Sequence, residues 1–202
     1  MKKLMFNDRY GLTQAVIKGR KTMTRRLELD AGSEYIARHY NPIYKPQHCY
    51  YRDSRGMCQL INSNTRKLFI PHYKVGEVVA VAQSYNSFYD DTYNPVLFPA
   101  GAGWDNKMFV RADLMPHQIR ITGIKCEQLQ DISDEDCLKE GINASNSHEI
   151  GYGIPWVYEF AGSKMVYYTP REAFASLIEK VSGRGTWASN PWVVAYEFEL
   201  VK

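Results

Sequence analysis

Ile119-Arg120-Ile121-Thr122-Gly123-Ile124-Lys125-Cys126-Glu127-Gln128-Leu129 reads as a long β-strand. Ile119, Ile121, Ile124 and Cys126 are among its apolar positions, and period-two alternation is the mark of a strand with one face on a core. The alternation slips near Gly123, where a β-bulge is expected. A second strand closes the chain from Trp192 to Val201, and a third runs from Val75-Gly76-Glu77 through Val78, Val79, Val81 and Ala82. Lys107 to Arg111 is a further short candidate.

Around these strands the helix signals are short. Leu12, Ala15 and Val16 give an apolar face to a helix near Tyr10 to Lys18, and Gly19 ends it. Ser133 is placed as an N-cap, followed by Asp134, Glu135 and Asp136 where the helix dipole favours acids; Gly141 is the stop. Thr169-Pro170-Arg171-Glu172 is a capping box with Pro at the first helical position, and Ala173, Phe174, Leu177 and Ile178 form the stripe behind it, up to Gly183. Strands do not alternate with long helices, and neither a dinucleotide glycine fingerprint nor a P-loop is present. The expected fold is therefore α+β but mainly β: a small β-barrel or curved sheet of about five or six strands with peripheral short helices. It forms one domain over residues 1–202, with loop insertions at about 27–74, 84–106 and 143–168.

The 202 residues carry 25 Lys and Arg against 22 Asp and Glu, a net charge of +3. That composition excludes a disordered tail, a collagen-like repeat and a polycation. The total hides an asymmetry: residues 1–75 hold 15 basic and 5 acidic side chains, and the remainder holds 10 and 17. Such a split points to an anionic partner on one side, or to two halves that neutralise each other in the fold. Tyrosine is over-represented at 15 residues, and Tyr35, Tyr40, Tyr44, Tyr50 and Tyr51 fall in the first insertion, as stacking surfaces would. Met1-Lys2-Lys3 is followed by no apolar signal core, and no stretch approaches the roughly 18 apolar residues of a membrane helix. The expectation is a cytoplasmic chain with no membrane contact. Cys49, Cys58, Cys126 and Cys137 form no CxxC pair, and His48 with Cys49 and Cys58 matches no zinc template, so no metal or other cofactor is expected.

The densest chemistry is Gly19-Arg20-Lys21-Thr22-Met23-Thr24-Arg25-Arg26. Four cations in seven residues repel one another. The expectation is a phosphate-facing surface formed by Arg20, Lys21, Arg25 and Arg26, or a solvated strand edge, rather than a buried site. A lysine activates a hydroxyl when burial and cationic neighbours lower its pKa, which pairs Lys21 with Thr24. Residues three apart face opposite sides of a regular strand, so that pairing requires irregular backbone. Glu140 stands at a helix C-terminus, where the dipole disfavours an acid, and so hints at another role. Trp187 and Trp192 flank a turn, as stacking platforms or as core anchors. The five histidines are scattered and are read as structural.

Taken in order, the segment Gly19 to Arg26, Gly76-Glu77-Val78-Val79, Ile119 to Leu129, Glu140-Gly141 and Asn190-Pro191-Trp192 to Phe198 resemble the ASCH-domain family, a PUA-like group of RNA-associated β-barrels. Phe6-Asn7-Asp8-Arg9-Tyr10 and Trp187 to Phe198 resemble the larger members encoded by phages and prophages. The match covers roughly half the chain and leaves the three insertions outside it. The resemblance implies a PUA-like barrel with a cleft beside the first helix. It implies three functions, of which the first is placed foremost: a module that binds RNA, a nucleotide or a modified nucleoside through a basic cleft around residues 19–26. The second is an amidohydrolase for N4-acetylcytidine-like nucleosides, because some small members are proposed to use a lysine, a threonine and a glutamate. Those residues match Lys21, Thr24 and Glu140, with Arg26 and Arg20 steadying an oxyanion or phosphate. The third is a phage accessory module that binds another protein.

Overall fold

The computed structural model describes residues 1–29, 64–65, 67, 69–89, 101–146 and 156–201, together with the backbone of three strands within 35–62. Tyr40, Tyr44, Tyr51, His48 and His148 lie outside the described residues.

The strands are β1 (Lys3–Leu4), β2 (Met23–Arg26), β3 (Tyr35–His39), β4 (Cys49–Tyr50), β5 (Cys58–Asn62), β6 (Val78–Val81), β7 (Gln118–Gln128), β8 (Asn143–Asn146), β9 (Trp156–Glu159) and β10 (Trp192–Leu200). The helices are α1 (Leu12–Ile17), α2 (Asp134–Lys139), α3 (Pro170–Ser182) and α4 (Thr186–Ser189). Residues Lys107 to Arg111 form no strand, whereas the first and third insertions carry β3 to β5 and β8 to β9.

β7 and β10 are the spine of the molecule and pair antiparallel along their length. Glu197 pairs with Gly123 and Phe198 with Ile121, so Thr122 is the extra residue of a bulge beside Gly123. The main sheet runs β1-β6-β7-β10-β2, and β4 pairs with β7 beyond the end of β6. β3 with β5 and β8 with β9 form two small antiparallel pairs.

The expected barrel is corrected here. Closure requires the two terminal strands to pair, and β1 and β2 do not pair with each other. β1 is two residues long and β2 four, too short to carry the tilt and stagger that join the ends of a sheet. Side chains bridge the open seam instead: Arg26 Nη2 donates to the Met5 carbonyl at 2.5 Å, and its guanidinium lies 5.6 Å from the Phe6 ring centre. Helices and strands share one core, so the fold is a mixed α+β sheet that is not closed into a barrel.

The core forms where the sheet meets the helices. Ile119, Ile121, Val194, Tyr196 and Phe198 pack with Leu12, Val16, Phe174 and Leu177. Thr169 accepts from the Glu172 backbone while Glu172 reaches back to the Thr169 N–H, so the capping box fixes where α3 begins. Trp187 meets Phe174 edge-on at 6.2 Å, with the Arg171 guanidinium 5.3 Å over its ring. It is a packing anchor, and Trp192 also packs against the core. No helix among the described residues is long and apolar enough to cross a membrane.

Candidate functional site

The turn from α1 into β2 sets the site. Gly19 has φ 69°, and the Arg20 and Lys21 N–H groups both donate to the Ala15 carbonyl. The chain thereby wraps the helix end, and Lys21 stands before the strand rather than in it. Thr22 N–H then donates to the Lys139 carbonyl, which ties the start of β2 to the end of α2.

α2 ends in a glycine-terminated wrap that presents Glu140. Ser133 caps the first turn by accepting from Asp136 N–H. At the other end Gly141 N–H donates to Leu138 and Ile142 N–H to Cys137, with Gly141 at φ 102°. That pattern is a Schellman motif, whose left-handed position favours glycine. Lys21 Nζ donates to Glu140 Oε2 at 2.6 Å and to the Glu140 carbonyl at 2.8 Å. The acid that the helix dipole disfavours is held by two cations, since Arg25 Nη1 donates to its other oxygen at 3.1 Å.

The register of β2, β10 and β7 sorts the remaining residues by face. Arg25 lies opposite Ala195, and Ala195 opposite Lys125; the same face carries Val193 and Glu127. Ala195 leaves space for the charges on either side of it. Arg25 Nε donates to Glu127 Oε1 at 2.8 Å and Nη2 to Asp136 Oδ2 at 2.7 Å. Lys125 Nζ meets Asp136 at 2.6 Å and Glu127 at 3.2 Å. Three cations and three carboxylates, Lys21, Arg25, Lys125, Glu127, Asp136 and Glu140, therefore balance inside the protein. Burial alone pulls the Arg25 guanidinium down, but Glu140, Glu127 and Asp136 overcome it and hold it above its ordinary value. For Lys21 burial wins: it lowers the ammonium pKa below that of a free lysine, despite Glu140.

The opposite face carries Thr24, Arg26, Tyr196 and Val194. Tyr196 donates from its hydroxyl to Glu28 Oε2 at 2.7 Å, and His72 N–H donates to the same oxygen at 3.2 Å. Burial, then the bond to Glu28, pushes the Tyr196 phenol up, so it stays a donor. Tyr73 packs edge-on to Tyr196 at 5.2 Å. Arg26 is held below its ordinary pKa by burial. Its Nε is buried with no hydrogen-bond partner among the described residues.

A cleft of about 700 Å³ runs along the free edge of β2, where groups from both faces reach it. Lys21, Thr24, Arg26, Glu28, Tyr73 and Glu140 line it, with Phe6 and the α3 residues Phe174, Leu177 and Ile178 as its apolar walls. Lys21, Thr24 and Glu140 thus line one cavity, and among the described residues no hydrogen bond joins Lys21 to Thr24. The basic segment is not a single surface. Lys21 and Arg25 are buried and ion-paired, while Arg20 is exposed, meets Asn143 Oδ1 and is absent from the cleft lining. The expectation that crowded cations exclude burial fails for Lys21 and Arg25, because Glu127, Asp136 and Glu140 balance them together with Lys125.

Sequence reasoning missed Lys125, Glu127, Glu28 and Tyr196, and gave Asp136 only a dipole role. Thr24, Arg26 and Glu28 recur at the period of a strand, which was the available sign that Glu28 shares their face. Among the described residues no cluster of three or more His, Cys, Asp or Glu side chains is placed to hold a metal ion.

No family model, no curated protein and no solved structure matches the chain. The labels expected from motif order, an ASCH or PUA-like identity, a phage origin and membership of an amidohydrolase family, are withdrawn on that finding, as the barrel is on the open sheet.

Proposed function

We propose that the cleft binds a small acylated nucleoside and hydrolyses its amide, with Thr24 as nucleophile and Lys21 as the base. The observation that carries the reading is the buried Lys21 side chain, bonded twice to Glu140 and lowered in pKa, in a cavity that Thr24 also lines. Once Lys21 has given up a proton, the amine keeps two hydrogens for the Glu140 carboxylate and carbonyl and has a lone pair with which to accept a proton. The volume suits a nucleoside-sized ligand. The acylated nucleoside is the substrate class expected from the sequence and is the one to be tested, with no matched relative behind it.

Thr24 Oγ attacks the acyl carbon while its proton passes to Lys21 Nζ. The C–N bond then breaks, and Lys21 returns the proton to the leaving nitrogen. Water attacks the resulting threonyl ester, again losing its proton to Lys21, and Thr24 departs with that proton to release the carboxylic acid. Glu140 holds Lys21 in position and is itself held by Arg25. Binding of RNA through residues 19–26 has weaker support, because two of the four cations are committed to internal carboxylates. Cys126 and Cys137 are buried and form no disulfide, which accords with a reducing, cytoplasmic setting.

The test is release of acetate from N4-acetylcytidine. Native protein is expected to turn it over, and Thr24→Ala and Lys21→Met each to lose about a thousandfold in kcat/KM. Absence of turnover by the native protein, or full activity in both variants, defeats the proposal.

A further inference from the structure

A second cavity, of about 290 Å³, is separate from the cleft. α3 divides its residues between the two. Phe174, Leu177 and Ile178 line the cleft, whereas Ser176 and Lys180, one turn apart, line the second cavity. Its other walls are the approach to α1, at Arg9 and Tyr10, and the loop after β9, from Gly162 to Met165. Two glycines let those segments meet. Gly162 has φ 77°, and a Cβ on it would lie 3.0 Å from the Arg9 carbonyl oxygen. Gly11 has φ 62°, and a Cβ there would lie 2.8 Å from the Ala161 Cβ. The loop is also braced from within. Ser163 Oγ donates to the Met165 carbonyl at 2.7 Å and accepts from the Met165 N–H at 3.1 Å, and Tyr167 donates to Ser176 Oγ at 2.6 Å. The walls are therefore in place before any ligand arrives.

Three cations line this cavity, Arg9, Lys164 and Lys180, all of them solvent-exposed. No carboxylate among the described residues lines it. None of the three cations belongs to an ion pair among the described residues. Acids near them in the sequence are engaged elsewhere: Asp8 with Lys107, Glu172 with the Tyr168 and Thr169 N–H groups, and Glu179 with those of Gly185 and Trp187. Like charges gathered round a concavity repel, and its low-dielectric walls concentrate their field. The buried cations Lys21, Arg25 and Lys125 are balanced by three carboxylates of the chain. Here the lining supplies none, so the balancing charge comes from outside.

We infer that this cavity binds a phosphate dianion, either free phosphate or the terminal group of a phosphate monoester, held among Arg9, Lys164 and Lys180. The arginine fork suits two phosphate oxygens at once, and the two ammonium groups act as point charges. A monoester carries close to two negative charges at neutral pH and a diester one, so three cations favour the monoester. The volume, at the lower end for ligand sites, holds a phosphate and leaves the rest of an ester outside. The site is independent of the hydrolytic reading of the cleft.

The test titrates the whole chain with ethyl phosphate, diethyl phosphate and inorganic phosphate in a low-salt buffer near neutral pH, followed by amide NMR. The amides from Gly162 to Met165 are expected to shift and saturate with ethyl phosphate at a Kd of about 1 mM or below. Diethyl phosphate is expected to bind at least about tenfold more weakly. Arg9→Gln and Lys180→Gln are each expected to weaken ethyl phosphate about tenfold. Lys18→Gln, which removes an exposed lysine outside both cavities, is expected to change it less than about twofold. Tighter binding of ethyl phosphate than of inorganic phosphate sustains the site and assigns it to an ester; the reverse order sustains it and assigns it to the free ion. Absence of a saturating shift by about 10 mM ethyl phosphate overturns the inference. So does equal affinity for monoester and diester, or a loss in Lys18→Gln as large as in Arg9→Gln, since either means a diffuse positive surface. The comparison of ligands on the native protein decides the matter even if a variant fails to fold.

Discussion

Arg25 and Arg26 are adjacent in the chain and chemically identical, yet they occupy opposite electrostatic worlds. Arg25 points into a cluster where Glu127, Asp136 and Glu140 take its donors, and its pKa is raised. Arg26 points to the other face, where it meets a carbonyl and an aromatic ring, keeps an orphan N–H and has its pKa lowered. Strand alternation alone separates them. The first arginine is structural and fully compensated. The second is held charged at a cost, in a residue that lines the cavity. Glu140 joins the two regions, with one oxygen on Arg25 and the other on Lys21.

The largest effect expected is the difference between removing the two arginines. Arg25→Met leaves three buried carboxylates with only Lys21 and Lys125 to balance them and is expected to cost about 3–5 kcal/mol in urea unfolding. Arg26→Met removes a charge that burial disfavours and is expected to change stability by less than about 1 kcal/mol. Similar losses for both would erase the distinction.

Asp136 sharpens the structural side through pH. Burial by itself would raise its carboxyl, but the Lys125 and Arg25 bonds prevail and hold it below the ordinary 3.8. The fold therefore binds that proton less readily than the unfolded chain. The resulting stability is complete above the ordinary carboxylate value and is lost as pH falls through the lower, folded value. Asp136→Asn is expected to cost about 2 kcal/mol at neutral pH and to flatten the acid limb of the unfolding midpoint. An unchanged limb would remove Asp136 from the cluster.

A smaller effect is expected at the joint between the regions. Gly141 is at φ 102°, and a Cβ there would also meet Leu12 at 3.4 Å. Gly141→Ala is expected to cost about 1–2 kcal/mol. By displacing Glu140 it should lower turnover of N4-acetylcytidine more than the stability loss alone explains. Thermal melting and kinetics measured on the same sample check both.

Much of the local structure was legible because local chemistry specifies it. Ser133, the Thr169–Glu172 box, Gly141 and the slip at Gly123 each act within a few residues, and the structure uses each of them where it was read. The charge cluster was not legible. Arg25 meets Glu127 and Asp136 across more than a hundred residues, so residues 20–26 looked like an exposed patch when half of their charge is internal. Closure of the sheet was misread for a related reason: it depends on whether two short edges meet in space, which no strand pattern encodes.

The amino-acid order by itself determined the strands β7 and β10, the caps of α2 and α3, and the presence of Lys21, Thr24 and Glu140 as chemically apt residues. Those features depend on neighbours in sequence and on periodicity. Only the tertiary structure decided that the sheet stays open, that Arg25 is spent and Arg26 is not, and that Lys21, Thr24, Glu140 and Glu28 line one cavity. Those outcomes depend on burial and on charges brought together from distant segments, where a few ångströms settle whether a cation is a scaffold or a ligand contact.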